Sequence, residues 1–150
     1  MDRNAIYDAL FEIGAGISWG TPSETWQYTS QRLDIWTECP AQPAFYQVAH
    51  DNDFQQVSGM PYKVELQATW VIYQNAAADK TVQGSRLNNT ILDALQAAME
   101  PRPEAGIPYD NRNTLGGLVY HAFIGGQSFQ DGGDLDGQGV MTVPIRILVP

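Results

Sequence analysis

The chain has 150 residues, 43% of them hydrophobic and 11% aromatic, with one cysteine and a formal charge of −9. That length and apolar content suffice for one core of ordinary size without a metal or disulfide, and no apolar run approaches the ~18–20 residues of a membrane span. The eight basic residues stand singly among 17 acidic ones, which argues against gripping a phosphate backbone.

In chain order, Asp2 caps a first helix whose apolar stripe is Ile6, Ala9, Leu10 and Ile13, widened by Tyr7 and Phe11 and ended by Gly14 and Gly16. Trp26–Trp36 reads as one irregular strand or two short ones, and Ala44–Val48 as a strand. The polar stretch His50–Gly59 is a connection longer than a tight hairpin needs. Tyr62–Gln74 alternates most clearly. Tyr62, Val64, Leu66, Ala68, Trp70 and Ile72 fall on one face, and Lys63, Glu65, Gln67 and Thr69 on the other, which is the pattern of a sheet with one buried side.

Ser85–Glu100 reads as the second helix, with Leu87, Ile91, Leu95 and Ala98 as its stripe and Pro101 and Pro103 beyond it. Arg102–Asn113 is a loop. Leu115–Ile124 and Val140–Val149 are further strands, joined by Gly125–Gly139 with its six glycines and three aspartates. Pro144 cannot donate to a ladder, so the last strand is expected at an edge or beside a bulge. The order α–β–β–β–α–β–β predicts a single α+β domain over 1–150, a mostly antiparallel sheet with both helices on one face.

Motifs for chemistry lack their context. Gly16-Ile17-Ser18-Trp19-Gly20 fits G-x-S-x-G, but a nucleophile elbow needs a strand before the serine and a helix after it; here a helix precedes. Asp131, Asp134 and Asp136 resemble part of a calcium loop, yet no glutamate follows at the position that closes one. His50 and His121 have no partner nucleophile in the pattern, and no nearby cation activates Cys39. The lone Cys39 excludes an internal disulfide, and the start Met1-Asp2-Arg3-Asn4 lacks a secretory layout, so an intracellular origin is expected. No catalytic residue, cofactor or metal is expected; a polar, charge-poor surface suits protein contacts.

The stretch Thr114-Leu115-Gly116-Gly117-Leu118-Val119-Tyr120-His121, then Ile124, then Asp131 to Gly139, then Val143-Pro144-Ile145-Arg146-Ile147-Leu148-Val149-Pro150 resembles the C-terminal signature of the tail terminator (tail-completion, minor tail) proteins of long-tailed bacteriophages. Arg3–Phe11 is similar to that family's first helix and Leu92–Met99 to its second, in the same order; Thr21–Gly59 matches less closely. The resemblance implies an α+β subunit that closes a six-membered ring on the head-proximal end of the tail tube. Such a ring ends tube growth and meets the head-side connector, and DNA passes through it without specific binding. The expected partners are therefore copies of the chain, the major tail tube protein and the connector, with no membrane. The expected location is the neck end of the virion tail, after assembly in the host cytoplasm. A connector or stopper protein of the neck is the nearest alternative, and a small ligand-binding domain or enzyme the alternative of another class.

Three sets of contact residues follow as expectations. His50, Asp51, Asn52, Asp53 and Phe54 form an interface loop, because connections this long serve function or stay disordered. Asp131, Asp134 and Asp136 line the lumen or a ring face, where like charge keeps DNA from sticking. Thr142, Val143, Ile145 and Ile147 lie on an edge strand that pairs with the next subunit.

Overall fold

In a computed structural model that describes residues 1–50, 52–56, 58–60, 63–101 and 112–149, two long antiparallel strands form the spine of the sheet. These are β4 (Lys63–Asn75) and β7 (Gln138–Val149), paired from Val64↔Val149 to Asn75↔Gln138. On the far side of β4 run β2 (Ala44–Ala49) and then β3 (Asp53–Gln55). On the far side of β7 run β5 (His121–Ile124) and then β6 (Phe129–Asp131). β1 (Tyr28–Ser30) pairs with β2 in parallel, the one parallel pair among the described residues. The described residues thus give a seven-stranded, mostly antiparallel sheet in the order β1-β2-β4-β7-β5. Helices α1 (Arg3–Ala15) and α2 (Ser85–Met99) make the fold α+β.

Both helices pack on one face. α1 is capped by Asp2, whose side chain accepts from Ala5 N–H at 3.1 Å, and it closes with Gly16 N–H donating to Glu12. Ile6 and Leu10 of α1, with Ile91, Leu95 and Met99 of α2, meet Leu66, Trp70 and Ile72 of β4 and Met141, Val143, Ile145 and Ile147 of β7 in one buried cluster. Each such side chain contributes roughly 1.5–3 kcal/mol when fully buried. The α2 stripe differs from expectation: Asn88, not Leu87, joins Ile91, Leu95 and Met99 as a buried residue. Its side chain is satisfied, accepting from Gln74 Nε2 at 2.9 Å and donating to the Asp131 carbonyl at 3.3 Å.

The sheet is not bare on its second face. Tyr46, Val71, Tyr73 and Ala44 are buried there beneath Trp36 and Cys39. The segment after β1 crosses that face instead of forming a second strand, and Trp36–Glu38 is a short 3₁₀ turn. Trp36 Nε1 donates to the Gln74 carbonyl and Tyr46 Oη to Asp34 Oδ2, which ties the segment down. The alternation in β4 therefore describes one face of its first half only; Tyr62 lies outside the described residues.

The last strand is a second correction. β7 is interior, flanked by β4 along its length and by β5 and β6 on the other side. Val143, Ile145 and Ile147 are buried in the core and Thr142 pairs with both Val71 and Phe129, so this set is not an edge. Proline is tolerated because Ile124 pairs with Ile145 and Phe129 with Thr142, which leaves a break in the flanking strand beside Pro144. Leu115–Tyr120, expected as strand, is a turn: Leu115, Gly116 and Gly117 have φ of 49°, 73° and 92°, a left-handed run no strand accommodates.

Candidate interaction surfaces

The β2–β3–β4 arm carries the first expected set. Ala49 pairs with Ala68 and Asp53 with Glu65, so between these pairs the chain joining β2 to β3 is one residue longer than β4. This one-residue bulge bends the arm and separates β3 from β2. His50 sits at the bulge, its N–H donating to the Gln67 carbonyl and its Nε2 2.6 Å from Thr69 Oγ1. Asp53 is exposed and accepts from Gln55 Nε2 at 3.0 Å. Phe54 is 59% exposed, on the helix face, with the Arg3 guanidinium 5.9 Å from its ring centre. Asn52 is half-buried; Asp51 lies outside the described residues. Within the expected loop, Asp53 and Phe54 thus belong to a short strand that turns Asp53 to one face and Phe54 to the other.

The acidic set sits at the end of β6 (Asp131) and in the turn to β7 (Asp134 and Asp136), at the opposite end of β4. All three carboxylates are exposed, and all three hold backbone. Asp131 Oδ1 accepts from Gly133 N–H at 2.9 Å, and Asp136 Oδ1 from Gln138 N–H at 2.9 Å. Asp134 Oδ1 accepts from Gly84 N–H at 2.8 Å and so clips the turn to the start of α2. Gly133 has φ of 73° and its added Cβ would strike the Gln138–Gly139 backbone, which fixes glycine there. Leu135 stands fully exposed at the tip. No group of three His, Cys, Asp or Glu side chains is placed to hold a metal ion among the described residues.

Other apolar groups reach solvent where the pattern gave no warning. Tyr120 and Phe129 are 53% and 60% exposed, Tyr120 with the Arg112 guanidinium 4.7 Å from its ring centre. Leu33 and Ile35 are exposed on the segment that crosses the second face, and Leu118 on the 115–120 turn. The half of that face not covered by Trp36 carries Phe123, Pro144 and Leu148, half-buried. Arg146 crosses it, paired bidentately with Glu65 at 2.5 and 2.8 Å. Glu65 raises the Arg146 pKa through those bonds and its charge.

Two of the clefts among the described residues gather polar groups. One of about 530 Å³ lies between α1 and α2, lined by Glu12, Ser18, Glu100 and Asn113 with isoleucines and alanines. Another of about 520 Å³ lies beside the acidic turn, where Thr81 donates to Asp79 Oδ1 at 2.6 Å. That bond, with the Thr81 amide, holds the Asp79 carboxyl below its usual range, the wrong direction for a general base. Ser18 of the G-x-S-x-G stretch follows α1 and precedes a bridge between Trp19 and Glu24, so the strand-before, helix-after arrangement does not occur. Cys39 donates to the Ala41 carbonyl at 3.2 Å. Among the described residues no helix is long and apolar enough to cross a membrane. Compared with protein-family models and with curated proteins, the sequence matches neither.

Proposed function

We propose that the chain is a structural subunit of a long-tailed bacteriophage. In this reading copies of it close a six-membered ring on the head-proximal end of the tail tube, stop tube growth and join the tail to the head connector. The observation that carries the reading is the likeness of Thr114–His121, Ile124, Asp131–Gly139 and Val143–Pro150 to tail terminators, together with large apolar side chains exposed at separate places on the subunit. A closed ring repeats a heterologous contact, which needs two different complementary patches per subunit. With β7 interior, edge strands on the two sides of the sheet supply them: short parallel β1 on one side, and β6 with exposed Phe129 on the other. Asp131, Asp134 and Asp136 keep their charge at the surface and present it to the lumen or a ring face, where it repels passing DNA.

The test tags the chain genetically and images tails made without heads beside heads made without tails. Label at one end of each tail, at six copies, is expected. Label that stays with heads instead identifies a connector or stopper, and no association with either overturns the assembly reading.

A further inference from the structure

Asn113 lies outside the sheet yet bonds to the edge of β5 on two sides. Its carbonyl accepts from Ala122 N–H at 2.8 Å. Its own N–H donates to Nδ1 of His121 at 3.0 Å, where a neighbouring strand would offer a carbonyl. A backbone amide is only ever a donor, so Nδ1 carries the lone pair and the ring proton sits on Nε2. A second proton would set an N–H on Nδ1 directly against the Asn113 N–H. Two facing donors cannot bond, so the ring or the chain must move.

The bonds at stake lie at the start of the 113–120 loop. Asn113 Oδ1 accepts from Leu115 N–H at 3.2 Å, and its Nδ2 lies 3.7 Å from Met99 Sδ at the end of α2. The Thr114 carbonyl in turn holds Gly117 and Val119 N–H. Leu115, at φ 49°, keeps a conformation that a non-glycine residue adopts only when its surroundings enforce it.

The charged neighbours do not compensate a protonated ring. On β5 the ring stacks on Phe123, centroids 4.9 Å apart. Across the sheet His121 faces Leu148 of β7, then Glu65 of β4, then Asp53 of β3. Glu65 is already engaged by Arg146. The loop itself adds Arg112 over Tyr120, and α2 ends at Glu100. Among the described residues no carboxylate is hydrogen-bonded to the imidazole.

We infer that His121 is a pH-sensitive latch for the 113–120 loop: the neutral ring holds Asn113 and the protonated ring releases it. The inference stands apart from the assembly reading, although the loop it governs displays Leu118 and Tyr120. Hydrogen exchange of the full chain at pH 7.5 and pH 5, corrected for intrinsic rates, tests it. Protection of the Ala122 and Val119 amides is expected to fall about tenfold at the lower pH, the weight of one hydrogen bond, while Trp70 and Met141 stay protected. In His121→Asn the side-chain oxygen accepts from Asn113 without titrating, so protection stays high at both pH values. Equal protection of the native chain at both, or an unchanged pH response in H121N, overturns the latch.

Discussion

Gly125 N–H donates to the Pro144 carbonyl over 3.1 Å, and that bond fixes which way the proline faces. In an antiparallel pair a residue's N–H and C=O point to the same side. The proline nitrogen therefore faces the break between β5 and β6, not β4, and no ladder bond to Thr69 is lost. Pro144→Val should change unfolding free energy by under ~1 kcal/mol, since it only adds a donor facing the break. Val143→Pro, one residue earlier and turned toward β4, should cost ~3 kcal/mol or more. Urea unfolding of the two variants checks the contrast; similar costs would contradict the assigned register.

α1 approaches the sheet at Gly14, where an added Cβ would overlap the Phe45 ring. The Gly14 carbonyl also accepts from Trp26 Nε1 at 2.8 Å, so helix, β2 and the Trp26 segment meet at one point. Gly14→Ala should destabilise by about 1–3 kcal/mol through overpacking, despite alanine's better helix propensity. Gly16→Ala, outside that contact, is the control, and a stabilised Gly14→Ala would refute the close approach.

Asp134 reaches across 50 positions to the Gly84 amide. Asp134→Ala should cost about 1 kcal/mol, as loss of a helix cap does, and loosen the first turn of α2. Asp136→Ala, whose bond stays within its own turn, should cost less. Equal effects in thermal unfolding would show that the clip between turn and helix contributes nothing.

Three tyrosines make the fold sensitive to alkali. Burial pushes up the phenols of Tyr7, Tyr46 and Tyr73; Arg3 offsets part of this at Tyr7, and Cys39 and Asp34 add to it at Tyr46 and Tyr73. The folded chain keeps these protons where the unfolded chain, with phenols near 10.0, releases them. Their contribution is thus complete below pH 10 and is lost as pH rises through the raised folded values. Unfolding midpoints measured from pH 8 to pH 11.5 should fall above pH 10, and Tyr46→Phe should flatten the fall. A level profile in the native chain would contradict the buried phenols.

What the sequence made legible was local. Leu66, Ala68, Trp70 and Ile72 alternate within one strand, and Ile6, Leu10, Ile91 and Leu95 recur at helical spacing, so both helices and β4 could be read directly. What it hid was long-range. Val71 and Tyr73 are buried because a segment some 35 positions away lies over them. Asn88 is buried because Gln74 and Asp131 satisfy it. The proline rule points to an edge or a bulge, whereas a gap in a neighbouring strand meets the same need. The acidic residues were read for their charge, and their hydrogen bonds to backbone emerged only with the turn in place.

Electron microscopy of particles made by a phage lacking this chain tests the proposed role most directly. Headless tails of excessive length are expected, since nothing then ends tube growth. Tails of normal length joined to normal heads would contradict it.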